Sequence, residues 1–258
     1  LRLSILICLF SLALTSCGKE KEPLKVADLP DESLPQVTDT VGLLPSEEPA
    51  TISDSSATYR YAARFPRTGE AVVDSLIEQF VRMQVDSFIA QAPESLISPN
   101  WQSELDINYS SSVFPPNIVC YKFDTYQFTG GAHGMTTVTT LNFNLPKKKL
   151  LQLSDLFAKR AAVAESLSVI SRTELRDILG DMLNEEMLEN GTSKDLANFS
   201  RFMLAPRDLV IFFEPYAVAP YAAGVQVVSI PLTRLGTLLK PEFRPHPEPS
   251  TDSLTSRG

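Results

Sequence analysis

Three cysteines and two histidines are spread over 258 residues, and no cluster of them has metal-ligand spacing. No metal and no cofactor is therefore expected. The sequence has no G-x-S-x-G turn to present a serine nucleophile. Beyond the first sixteen residues no apolar run is long enough to span a bilayer. There is no basic excess either: the formal net charge is −8, which excludes nucleic acid as an expected partner. An acidic balance serves solubility and would suit a basic partner. No internal repeat is present.

What is present begins with a leader. Leu1-Arg2 precedes the apolar run Ile5 to Leu14 and then Leu14-Thr15-Ser16-Cys17. A positive start and a short apolar core fit a secretory signal peptide over residues 1–16. Small residues ahead of Cys17, with Gly18 after it, resemble the lipobox of bacterial lipoproteins, in which that cysteine carries the lipids. A plain signal peptide that contains a cysteine is the alternative. The lipobox reading anchors the chain by Cys17 in a bacterial envelope membrane. Gly18 and Lys19 are not the acidic residue that retains such proteins at an inner membrane, so the outer membrane, facing the periplasm, is the expected location. More than one acyl chain makes that anchor firm, at roughly 0.8 kcal/mol per buried methylene. With Cys8 removed and Cys17 lipidated, Cys120 has no disulfide partner, and its apolar setting NIVCYKF marks a buried inert thiol.

Residues 17–57 read as a disordered linker, rich in Pro, Asp, Glu and Ser and without an aromatic. It would reach roughly 35 Å from the membrane. Residues 241–258, with His246, read as a disordered tail. Between them, residues 58–240 are expected to form one domain. Tyr59, Tyr61, Ala63 and Phe65 alternate with polar or small neighbours, as in a half-buried strand. Val73, Leu76, Ile77, Phe80, Val81, Gln84 and Phe88 fall at helical steps over about six turns. Strands are expected around 105–109, 117–128 and 136–145, then a helix over 158–179 closed by Gly180, with Ser154 or Asp155 as candidate caps. Three further strands are placed at 199–204, 208–214 and 225–230. This is an α+β pattern: two main helices against a mainly antiparallel sheet.

The stretch TGGAHG, Thr129 to Gly134, lies between two strand-like runs and reads as a hairpin turn. Gly130, Gly131 and Gly134 then supply positive φ or allow a close approach. His133 has two readings. It hydrogen-bonds the turn, or it pairs with Asp124 or Glu214 as an acid–base couple. The second marked stretch is FFEPYAVAPYAAG, where Pro215-Tyr216 and Pro220-Tyr221 stiffen a loop closed by Gly224. Tyrosines on a stiff loop give contact area at low entropy cost, or pack on the sheet with their hydroxyls bonded. Tyr126 poses the same choice.

Two of these blocks carry a resemblance. YQFTGGAHGMTTVTTLNFNLPKKKLLQLSDLF, and NFSRFMLAPRDLVIFFEPYAVAPYAAGVQVVSIPLTRL, resemble the extracytoplasmic domain shared by the lysozyme-sensing anti-sigma factor RsiV and PdaC-type peptidoglycan deacetylases. YAARFP and its helix look like the matching N-terminal segment, so the resemblance covers about residues 58–237. It implies an α+β fold and work at the cell envelope, binding a lysozyme-like protein or a peptidoglycan fragment. The sigma-binding segment and the deacetylase domain are both missing from this sequence, so neither activity is carried over. The expected function is a non-catalytic envelope binding module whose contact residues are Tyr126, His133, Tyr216 and Tyr221. The alternative is a wall hydrolase with His133 as general base.

Overall fold

The computed structural model describes residues 48–95 and 101–245. The leader, Cys17, most of the linker, His246 and nearly all of the tail lie outside the described residues. Two short hydrophobic patterns organise what lies inside. In β2 (Tyr59–Arg67) the alternation buries Ala63 and Phe65 and leaves Arg60, Ala62 and Arg64 exposed. In α1 (Ala71–Gln91) the stripe Val73, Ile77, Val81, Val85 and Phe88 is buried. The helix needs that stripe against the sheet, since its N-cap Glu70 makes no side-chain cap bond. Asp74 in its first turn instead accepts the Thr68 and Gly69 N–H groups.

A six-stranded sheet runs β1 (Glu48–Ser55), β2, β3 (Ser103–Phe114), β4 (Ile118–Phe128), β5 (Met135–Asn144) and β6 (Lys149–Leu150), in sequence order. The β2–β3 pair is parallel because α1 crosses between them; the other pairs are antiparallel. One face of this sheet packs on α1 through Leu105, Ile107, Val119, Tyr121, Phe123 and Phe143. The opposite face contributes Phe114, Ile118, Cys120 and Val138 to a second core.

That second core is closed by a separate three-stranded antiparallel sheet, β7 (Phe202–Leu204), β8 (Asp208–Phe213) and β9 (Gln226–Pro231). It also holds α2 (Arg160–Leu179), with Leu167 and Leu175 fully buried, the short α3 (Glu185–Gly191), and α4 (Leu232–Leu235). The α+β expectation therefore stands, but with two sheets, each backed by one of the main helices.

Four boundaries differ from the sequence reading. Residues 48–55, placed in the linker, form edge strand β1 with eight register pairs to β2. Ala50 and Ile52 alternate inward there, a pattern too sparse to signal a strand without its neighbour. At the other end Pro241–Phe243 forms a single 3₁₀ turn that buries Phe243 beside Phe114, so the fold continues past 240. The cap expected at Ser154 or Asp155 belongs to a short 3₁₀ turn, Leu153–Leu156. There Gln152 and Asp155 bond each other's backbone, and α2 starts later, at Arg160. Residues 196–199 are likewise a 3₁₀ turn, which shortens the next strand to Phe202–Leu204.

Candidate functional site

The β4–β5 hairpin carries the glycine–histidine turn, with Gln127 opposite Met135 at its neck. Gly130 and Gly131 take φ of 115° and 97°, which side chains rarely tolerate. Gly134 has a different reason to lack a side chain. A Cβ there would lie 2.4 Å from the Tyr126 ring, so the strand and the tyrosine can meet only through glycine. A Cβ on Gly130 would come within 2.9 Å of Trp101, which itself packs edge-on against Phe128.

The ring cluster forms where the β8–β9 loop meets this turn. His133 and Tyr221 stack with centroids 4.0 Å apart and planes 22° from parallel. The Tyr221 hydroxyl donates to the Gly134 carbonyl at 2.6 Å, and His133 Nδ1 lies 2.9 Å from the same oxygen. A carbonyl only accepts, so Nδ1 carries a proton. Tyr216 stands 5.7 Å from Tyr221, and Tyr126 lies beneath, against Gly134. Burial, helped by the nearby charges of Glu104 and Tyr221, pushes the Tyr126 hydroxyl above its ordinary value.

Tyr216 is held in an unusual way. The Ala217 N–H donates to the Glu214 carbonyl at 2.9 Å, closing a four-residue turn with Pro215 second and Tyr216 third. The Tyr216 φ is 69°. With proline fixing the second position, this is the type II turn, whose third position favours glycine. A bulky side chain occupies it here and is 52% exposed. The loop then turns back through Pro220 and a short 3₁₀ turn, Tyr221–Ala223, that ends at Gly224 with φ 68°. The two tyrosines thus divide the two readings: Tyr221 is locked inward by its hydroxyl, and Tyr216 faces out.

The carboxylates considered for an acid–base pair are engaged elsewhere. Asp124 bridges Lys122 at 2.7 Å, with the lysine ammonium also over the Phe212 ring. Glu214 accepts the Val138 N–H at 2.9 Å and bridges Arg201 at 2.5 Å, while Arg201 Nε donates to the Val138 carbonyl at 2.9 Å. Sequence reasoning missed Arg201 and Trp101. Nothing local marks the first; the second is the only tryptophan in the sequence. Cys120 is buried, accepts the Leu204 N–H, and has its thiol pushed up to about 12 by burial. Among the described residues no group of His, Cys, Asp and Glu is arranged to hold a metal ion.

Residues 154–233 match the family described as "Protein of unknown function (DUF3298)". This segment is similar to a DUF3298 domain. It includes Tyr216 and Tyr221 and stops short of Tyr126 and His133, which precede it. The chain is 27% identical over 197 residues to the peptidoglycan-N-acetylmuramic acid deacetylase PdaC of Bacillus subtilis. That match takes in 76% of this chain but only 42% of the deacetylase. The immunogenic protein MPB64 of Mycobacterium bovis is 21% identical over 165 residues, 63% of this chain and 71% of its own. The fold is that of two crystallised DUF3298-family proteins. One, from Pseudomonas aeruginosa, has a TM-score of 0.54 at 18% identity, covering 78% of this chain and 98% of its own. The other, from Bacteroides fragilis, has a TM-score of 0.52 at 17% identity, covering 76% and 95%. Among the described residues no helix is long and apolar enough to cross a membrane.

Proposed function

We propose that this protein is a non-catalytic binding domain of the bacterial cell envelope, and that it holds peptidoglycan on the rings of Tyr126, His133, Tyr216 and Tyr221. The observation that carries this is Tyr216: an exposed aromatic held at φ 69° in a turn position that favours glycine. Backbone strain of this kind is kept where a side chain has a task. Two of the rings, His133 and Tyr216, are exposed beside their shared ring partner Tyr221, a surface that fits an extended polymer. His133 has its Nδ1 bonded to the turn and both candidate carboxylates are paired elsewhere, which supports binding over hydrolysis. The relative named for peptidoglycan chemistry supports the choice of polymer. In the same proposal a lipid on Cys17 and the acidic linker tether the domain at the outer membrane, facing the periplasm.

Co-sedimentation of the purified chain with isolated sacculi tests this. Wild type is expected to pellet with sacculi, and the Tyr216→Ala/Tyr221→Ala double variant, folded by circular dichroism, is expected to stay in solution. A wild type that remains in the supernatant while capturing a basic, lysozyme-like protein through the same tyrosines would replace peptidoglycan with a protein partner.

A further inference from the structure

Resting on the wall-binding reading, we infer that the ring cluster recognises the uncharged sugar face of the glycan strand and not the peptide attached to it. The argument starts from what the cluster offers outward. The Tyr221 hydroxyl and the His133 Nδ1 proton both point at the Gly134 carbonyl and are used up there. What remains for a ligand is ring faces, the exposed Tyr216 above all, with the Tyr216 hydroxyl and His133 Nε2 at their edge. A matching ligand needs a flat apolar face with donors at its rim. A pyranose with equatorial substituents has that form: its faces present C–H bonds, and its hydroxyl and acetamido N–H groups lie around the edge.

The surface beside the rings agrees. Tyr126 pairs across the strands with Asp106 on one side and Thr136 on the other, and Asp106 pairs with Ala62. Residues so paired share one face, with Cβ atoms about 4.5–5.5 Å apart. This face is opposite the one that α1 covers, and Ala62, Arg64 and Asn108 on it are exposed. The floor is therefore a polar shelf leading away from the ring step. Its acids Glu104 and Asp106 balance its bases Arg60 and Arg64 in number and Arg60–Glu104 is already paired, while Lys122, buried over the Phe212 ring, is paired with Asp124. Such a balanced floor draws no polyanion, while its carboxylate oxygens accept from hydroxyl and amide donors.

The experiment uses the purified full chain, sacculi, and two soluble competitors: the β-1,4-linked N-acetylglucosamine tetramer and the free stem peptide. The tetrasaccharide is expected to displace the protein from sacculi and to shift the amide resonances of residues 129–134 and 216–224. The stem peptide is expected to do neither. Tyr216→Ala should weaken tetrasaccharide binding about ten-fold or more, and Tyr216→Phe, which keeps the ring, should bind as wild type. Displacement by stem peptide alone, with the tetrasaccharide inert, would overturn the sugar assignment and leave wall binding intact. Tetrasaccharide binding that survives Tyr216→Ala unchanged in a folded protein would also overturn it. Failure to bind sacculi at all would remove the wall-binding reading itself.

Discussion

Arg201 and Glu214 meet at 2.5 Å and between them take both backbone groups of a single residue, Val138. Glu214 stands two positions before Tyr216, and Val138 four after Gly134. The pair therefore ties the loop of the small sheet to the hairpin of the large one. Leaving the Val138 N–H without an acceptor costs about 1–3 kcal/mol. Glu214→Ala is expected to lose that much in urea denaturation, and Glu214→Gln, which can still accept from the N–H, to lose less. Equal losses in the two variants would assign the effect to charge instead.

Tyr216→Gly should separate stability from binding. Left-handed backbone costs a non-glycine residue about 1–2 kcal/mol, so the glycine variant is expected to have a higher Tm while losing sacculus binding. A lower Tm would mean the Tyr216 contact with Tyr221 outweighs the strain.

Gly134→Ala and Gly131→Ala are expected to differ in kind. A Cβ on Gly131 meets nothing within 4 Å and costs only conformation. The same atom on Gly134 strikes the Tyr126 ring and must move it, at about 1–3 kcal/mol. Tyr126 ring resonances should shift in the second variant and not in the first. Gly130→Ala presses on Trp101, so its signature is a change in the fluorescence of the sole tryptophan.

Asp106 gives the pH dependence near the site. Burial, and then the Glu104 charge, hold its carboxyl above the ordinary 3.8. The folded form thus binds its proton more tightly than the unfolded form does. Its ionisation costs stability at neutral pH, and that cost is relieved as pH falls through the raised value toward 3.8. Asp106→Asn is expected to be more stable than wild type at pH 7, with the difference shrinking on acidification. A variant less stable at pH 7 would show that the bond from Asn108 outweighs burial.

Cys120, with its thiol pushed up to about 12, should resist alkylation in the native protein at pH 8. Mass spectrometry of labelled peptides distinguishes it from Cys8 and Cys17. Modification of Cys120 should begin only under unfolding conditions, and labelling in native buffer within minutes would contradict its burial behind Leu204.

The periodic elements were legible because their signal is local. The stripe from Val73 to Phe88 and the alternation around Ala63 and Phe65 follow from one element's own geometry. The hairpin was legible from its glycines. The position of β1 was not, because Ala50 and Ile52 acquire meaning only against β2. The second sheet was hidden for a related reason: strands at 202–204, 208–213 and 226–231 announce themselves, but not which partners they choose. At the site, glycine and proline flagged both loops. That they meet through one carbonyl, and that Glu214 turns from His133 toward Arg201, are tertiary facts with no trace in the spacing.

The Arg201–Glu214 pair has one further consequence, for self-association. An unpaired strand edge is a template on which another chain can add a strand. At Val138 the outer edge of β5 is filled by side chains: a carboxylate stands where a neighbouring carbonyl would accept, and a guanidinium where a neighbouring N–H would donate. Beside it the Thr140 hydroxyl accepts from the Phe202 N–H and the Asn142 amide donates to the Phe202 carbonyl, which holds β7 against this stretch. Among the described residues the edge strands of the six-stranded sheet are β1 and the two-residue β6, and on β1 Pro49 removes a donor and Asp54 adds a charge. Loss of the clamp would therefore open a new front for strand addition along β5, in addition to the longer edge at β1.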